Sequence, residues 1–283
     1  LATGATWAEG PVWLPHDGSV IWSDVVGNRV LRWFADGRVT TFLEPAEFEN
    51  GHTLDHDGSI IACSHGHRRL ERLGLDGTLT PIVDRYRGMR FNSPNDVVVK
   101  SDGTIWFTDP PYGITSNREG YEAPSEIGAC LVFRLDPRTG ELDAVTDWLE
   151  EPNGLAFSPD ETVLYVADTS LASHDDGGGN HHIVAFDVVG GRTLANPRVF
   201  YTVDEWVADG LRVDVDGNVW TSAGDGIHVV APDGRRLGTL PVPERTANCV
   251  FGGPDLDRLF ITASTSLYVL DVATRGVVPA GPR

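Results

Sequence analysis

One phrase recurs six times along the chain: an apolar strand, a tight acidic turn and a second apolar strand. Its first copy is GPVWLPHDGSVIWSD, turning at Asp17-Gly18, and its second is GHTLDHDGSIIACS, turning at Asp57-Gly58. The third, DVVVKSDGTIWFTD, turns at Asp102-Gly103 and the fourth, GLAFSPDETVLYVAD, at Asp160. The fifth, GLRVDVDGNVWTSA, turns at Asp216-Gly217 and the sixth, CVFGGPDLDRLFITA, near Asp255. β-Branched and aromatic residues around a turn that tolerates positive φ specify a β-hairpin. Further strand-like stretches follow most copies, such as RVLRWFADGRVTTFL (29–43), RRLERLGLDGTLTPIV (68–83) and IHVVAPDGRRLGTL (227–240), so each unit carries about four strands. Four-stranded units repeating every 40–58 residues or so are propeller blades. The expected fold is all-β: a six-bladed β-propeller with four antiparallel strands per blade, formed by residues 1–283 as one domain. A chain of 283 residues, 41% hydrophobic, can bury such a core. Trp22, Trp106 and Trp220, in the second strands, are expected between blades. Residues 1–8 or the GVVPA segment (276–280) should supply the outer strand that closes the ring.

Counting back seven residues from the turn aspartates reaches Asn50, Asn95, Asn153, Asp209 and Asn248. In the first unit the turn is one residue longer, and the matching residue is Glu9. Every unit therefore places Glu, Asn or Asp just before its first strand. That strand lines the central channel of a propeller, so six equivalent positions ring the axis at one height. The set offers oxygen donors and contains neither Cys nor His. Hard oxygen ligands suit Ca²⁺, Mg²⁺ or Mn²⁺. Two carboxylates balance one divalent charge, and without a cation they repel each other. Asn and Asp capping a turn would explain one such position; six in register point to a metal site at one end of the channel.

The formal net charge of −19 argues against nucleic acid or an anionic membrane as partner. No apolar run approaches the ~18–20 residues of a membrane span. Cys63, Cys130 and Cys249 are odd in number and scattered, which suits isolated thiols rather than a disulfide framework. The chain starts at Leu1, not methionine. A soluble protein is expected, cytoplasmic in preference to periplasmic, the latter if a signal peptide has been trimmed. Oligomeric state is left open.

The sequence resembles the SMP-30/gluconolactonase/luciferin-regenerating family, and within it the bacterial gluconolactonases. The resemblance is carried by WAEGPVWLP (7–15), ENGHTLDHDGSIIACSHGHRRL (49–70), RFNSPNDVVVKSDGTIWFTDPPYGI (90–114), EPNGLAFSPDETVLYVADT (151–169) and DGLRVDVDGNVWTSAGDGIHV (209–229). It implies one catalytic divalent metal, Ca²⁺ first, with Mg²⁺, Mn²⁺ and Zn²⁺ as alternatives. The family's metal-binding Glu falls on Glu9, its two Asn on Asn95 and Asn153, and its Asp on Asp209. All four belong to the ring; Asn50 and Asn248 are then candidates for its outer shell.

The resemblance further implies hydrolysis of a small sugar lactone, of the glucono-1,5-lactone type, to the aldonic acid. A bound metal polarises the lactone carbonyl, and water is the nucleophile. Asp209 is the first candidate for a general base and Glu9 the second. Substrate contacts are expected from Asn50, His52, Arg90, Asn95 and Tyr112. His52 starts an innermost strand, and Tyr112 lies near the mouth in DPPYG. Arg90 is the counterpart of a substrate-holding arginine, two residues off the family's spacing. Two polar insertions, 112–128 and 170–182, follow second strands and should lie at the metal end, where they would set substrate choice. Two other readings are a phosphotriesterase-like hydrolase on the same metal site and a non-catalytic ligand-binding propeller.

Overall fold

The computed structural model describes residues 1–277. Six four-stranded antiparallel sheets succeed one another around an axis. Their innermost strands are Ala8–Leu14, Glu49–Leu54, Val97–Val99, Pro152–Phe157, Leu211–Val213 and Thr246–Gly252, which define blades 1 to 6. In blades 1 to 5 the strands run outward in sequence order. Blade 6 takes three strands from its own segment, and Ala2–Thr3 adds the fourth by pairing with Ser266–Asp271. The N-terminal segment thus closes the ring, one of the two closures expected. In the other candidate, Gly276 bridges Asp214 of blade 5, and 278–280 lie outside the described residues.

The turn chemistry explains the repeat. Gly18, Gly58, Gly103 and Gly217 all have φ between 69° and 83°, a region that costs glycine nothing. In blades 4 and 6 the same place is taken by Glu161 and Leu256, each at φ 56°. A non-glycine residue pays about 1–2 kcal/mol for that conformation, so these hairpins lean more on their packing.

Six buried apolar clusters lie one at each seam between neighbouring blades. At the closing seam Val20 and Trp22 of blade 1 meet Phe260 and Leu267 of blade 6, and Trp13 stacks on Phe260 at 5.6 Å. Trp106 and Trp220 fill the seams between blades 3 and 4 and blades 5 and 6. Removing one such side chain costs about 3–5 kcal/mol. Cys63 and Cys249 are buried in seams, Cys130 is half-buried, and all three are free. Because the core sits between blades, the axis is left to polar residues. A small hairpin, Arg85–Tyr86 with Met89–Arg90, and short helices at Tyr112–Thr115 and Ser170–Ser173 were not anticipated. Among the described residues no helix is long and apolar enough to cross a membrane.

Candidate metal and substrate site

The ring residues sit where the innermost strands are irregular. In blades 1, 2, 4 and 6 the ladder to the second strand shifts register between Glu9 and Val12, Glu49 and His52, Pro152 and Leu155, and Thr246 and Asn248. Such bulges free a residue from the ladder and re-aim its side chain. In blades 3 and 5 the ring residue precedes the strand altogether. Backbone bonds stitch neighbouring blades at this height: Gly51 N donates to Asn95 O (2.8 Å), Gly154 N to Asp209 O (3.1 Å) and Gly210 N to Ala247 O (2.7 Å). The glycine after the ring residue makes this approach possible. A Cβ on Gly10 would lie 1.8 Å from Asn50 O, and one on Gly210 would lie 2.0 Å from Asn248 Cγ.

Three buried aspartates at the ends of second strands hold the segments that lead into the ring. Asp24 Oδ1 accepts from the N–H groups of Thr6 and Trp7. Asp109 accepts from Asn92 and Ser93 N–H, both at 2.9 Å. Asp168 accepts from Glu150, Glu151 and Ser170 N–H. In each case the first N–H belongs to the residue three before a ring residue: Glu9, Asn95 or Asn153. In blade 5 Ser222 Oγ accepts directly from Asp209 N at 2.9 Å. These anchors were readable as the Asp that ends the copies in blades 1, 3 and 4, yet sequence reasoning passed over them.

The ring divides by what its side chains already bond. Asn50 Nδ2 faces His65 Nε2 at 3.4 Å, while His65 Nδ1 faces Glu119 O at 3.0 Å. Burial lowers His65 to about 4, so it stays neutral: it donates from Nδ1 and accepts Asn50's amide proton on Nε2. Asn248 is fully committed, its Oδ1 accepting from Cys249 N (2.8 Å) and its Nδ2 donating to Glu9 Oε2 (3.3 Å). Among the described residues, by contrast, the side-chain oxygens of Asn95, Asn153 and Asp209 accept no hydrogen bond within standard distance, and Glu9 is engaged only through Oε2. Asp209 is half-buried, and the other five ring residues are between 2 and 5% exposed.

Electrostatics link the two carboxyls among these four. Burial pushes Glu9 up to about 7, aided by the charges of Asp96 and Glu119 and opposed by hydrogen bonds from Gly10 and Asn248. Asp209 is raised well above the ordinary carboxylate range by burial and then by the charge of Glu9. Two apposed carboxyls strained in this way, beside two amides with free oxygens, form a donor set that fits a divalent cation. Among the described residues no three His, Cys, Asp or Glu side chains are spaced for a metal, so a metal here must draw on the amide oxygens. Tyr112 Oη is buried without a partner within hydrogen-bonding distance, and its polar neighbours are Glu151, Thr169 and Asn153.

Residues 7–265 match the model of the SMP-30/gluconolactonase/LRE-like region. The chain belongs to this family. It is 36% identical to a gluconolactonase of Zymomonas mobilis over 98% of its own length and 81% of the relative's. It superposes on a gluconolactonase of Xanthomonas campestris with a TM-score of 0.88 and 41% identity, covering 95% and 87% of the two chains. A calcium-binding protein, regucalcin, from Agrobacterium tumefaciens shares the fold (TM-score 0.78) at 20% identity, covering 99% and 95%.

Beside the ring, two expected substrate contacts are otherwise occupied. His52 is buried, with Nδ1 2.7 Å from Gly10 O and Nε2 3.1 Å from Glu49 Oε2, so neither ring nitrogen is free for a ligand. Its bulged strand turns it into the gap toward blade 1 instead of the channel. Arg90 donates from Nη2 to His67 O at 3.1 Å and bears on Arg68 and Glu126, outside the ring. The small hairpin that ends at Arg90 explains this offset. Both insertions do lie at the ring end. The first brings Tyr112 beside Asn153 and Glu119 beside Glu9 and Asp209. The second is clipped to the approach to Asn153 by Ser173–Glu151 (2.7 Å) and His174–Glu150 (2.6 Å). Glu119 was missed because it occupies no repeated position, and Asp96 because it stands where blades 1, 2, 4 and 5 carry a glycine.

Proposed function

We propose that this chain hydrolyses a sugar lactone of the glucono-1,5-lactone type to its aldonic acid, with one divalent metal held by Glu9, Asn95, Asn153 and Asp209. Family membership and the gluconolactonase relatives make the chain a lactone hydrolase; the preferred lactone, the metal and the residue roles are our reading. The observation that carries this reading is the contrast between Glu9, Asn95, Asn153 and Asp209, which keep side-chain oxygens to offer, and Asn248, whose Oδ1 is spent on Cys249 N; Asn50 is turned by its Nδ2 contact to His65. All-oxygen donors favour Ca²⁺ over softer ions.

When bound, such an ion polarises the lactone carbonyl and stabilises the negative charge that develops on its oxygen. Asp209 takes a proton from the attacking water and returns it to the ring oxygen as the acyl C–O bond breaks, so one water is added across the ester and nothing else is consumed. Tyr112 Oη donates to a substrate oxygen near Asn153, which gives that buried hydroxyl the partner it lacks. Glu119 accepts from a sugar hydroxyl, and Asn50, steadied by His65, lines the same wall. The 112–128 and 170–182 loops choose among lactones, because a polar wall left unfilled penalises the wrong substrate.

The reading is tested by following acid release from a panel of sugar lactones with EDTA and after Ca²⁺ is restored, with a phosphotriester in parallel. Lactone turnover should vanish in EDTA and return with Ca²⁺. Shortening 174–180 to a tight turn should reorder the lactones without abolishing turnover. Undiminished turnover by protein shown to hold no metal, or faster phosphotriester cleavage, contradicts it.

A further inference from the structure

Beyond the ring, one ion pair joins blades that are not neighbours. Arg212 of blade 5 places Nη1 3.4 Å from Asp96 Oδ2 of blade 3, with blade 4 between them around the ring. Only the central channel allows such a contact. Asp96 directly follows Asn95 and is 1% exposed; Arg212 lies three residues beyond Asp209, and its Nη1 also donates to Leu211 O at 2.7 Å. The carboxylate is held in place by its own strand, since Asp96 Oδ1 accepts from Val97 N at 2.9 Å. It also fills space cleared by a glycine: a Cβ on Gly51 would lie 2.7 Å from Asp96 Oδ1. The charge of Asp96, like that of Glu119, bears on both Glu9 and Asp209, and a guanidinium reaches across the axis to meet Asp96.

Two carboxylates neutralise a divalent ion, whereas three leave a negative site. We propose that Arg212 is a positioning residue: its guanidinium cancels the charge of Asp96, so that the site presents one negative charge fewer to a cation, and it ties down the strand that carries Asn95. This inference rests on the metal reading above.

The test titrates EDTA-stripped protein with Ca²⁺ alone by calorimetry and follows thermal unfolding in EDTA. The proteins are wild type, Asp96→Asn, Arg212→Met, Arg212→Lys and the Asp96→Asn/Arg212→Met double variant. Arg212→Met should bind Ca²⁺ about tenfold more tightly, the order expected for removing one positive charge from the surroundings of a divalent ion. It should also unfold at a lower temperature in EDTA, because Asp96 is left buried and unpaired. Asp96→Asn should bind about tenfold more weakly, and Arg212→Lys and the double variant should stay near wild type. Should Arg212→Met fail to fold, Asp96→Asn and the double variant carry the same comparison. Equal Ca²⁺ affinity in those two and in wild type overturns the proposal even if unfolding temperatures move, since the pair would then be a structural tie alone. A wild type that binds no Ca²⁺ removes the metal reading and this inference with it. The unfolding temperatures in EDTA would then still report on the ion pair separately.

Discussion

Asn153 and Asn248 occupy the same repeat position in blades 4 and 6, but their surroundings give them opposite uses. Asn153 follows a segment pinned by the buried Asp168, and its side-chain oxygen accepts no standard hydrogen bond among the described residues. In blade 6 the second strand ends at Ala263 instead of an aspartate, and Asn248 spends its oxygen on Cys249 N and its amide on Glu9. The repeat puts a polar residue at the axis in every blade. Whether that residue can hold a ligand depends on what its neighbours leave unbonded.

The sharpest way to break this comparison is to truncate both residues. Asn153→Ala, like Glu9→Gln and Asp209→Asn, should lower lactone kcat/KM by about 10²–10³-fold, the scale of removing a group that stabilises developing charge. Asn248→Ala should stay within about tenfold. Steady-state kinetics at fixed Ca²⁺ decide the matter, and equal losses at Asn153 and Asn248 would show that the ring does not divide as described.

A smaller effect is expected one step back from the ring. Asp168→Ala removes the acceptor for two backbone N–H groups ahead of Asn153, those of Glu150 and Glu151, and for that of Ser170. Loss of such a supporting partner typically costs about 10–100-fold in metal affinity or activity. Ca²⁺ calorimetry on this variant should show weakening of that order. Full affinity would mean that Asn153 is held by its bulge alone.

Much of this was legible beforehand. Six Asp-turned hairpins match the six blades, and counting back from the turns leads to one polar residue at the inner strand of each, because a closed repeat forces equivalent positions to one height. Closure by the N-terminal strand was one of two alternatives, since a two-residue strand leaves almost no pattern. His52 and Arg90 are engaged by other protein groups, for a physical reason. A bulge and a short hairpin re-aim side chains without marking the local sequence. Asp96 and Arg212 meet across 116 residues, and Glu119 lies in a loop with no counterpart in other blades, and periodicity cannot reach these.

A still smaller effect separates the anchored blades by pH. Burial pushes Asp109 up to about 7, against the pull of the Asn92 and Ser93 N–H donors. A carboxyl raised in the folded state above its unfolded value near 3.9 holds its proton more tightly when folded. Its stabilising contribution is therefore complete below about pH 4 and is lost as pH rises through about 7. Thermal unfolding from pH 4 to 8 should show a steeper decline in wild type than in Asp109→Asn. Parallel curves would mean that the hydrogen bonds outweigh burial at this carboxyl.

The most direct measurement of the division itself is Ca²⁺ stoichiometry on EDTA-stripped protein, by calorimetry, for three proteins: wild type, Glu9→Gln/Asp209→Asn, and Asn50→Ala/Asn248→Ala. One ion should bind per chain in wild type and in Asn50→Ala/Asn248→Ala, and none in Glu9→Gln/Asp209→Asn. Binding that survives in Glu9→Gln/Asp209→Asn, or that disappears in Asn50→Ala/Asn248→Ala, would contradict the assignment of the metal to Glu9, Asn95, Asn153 and Asp209.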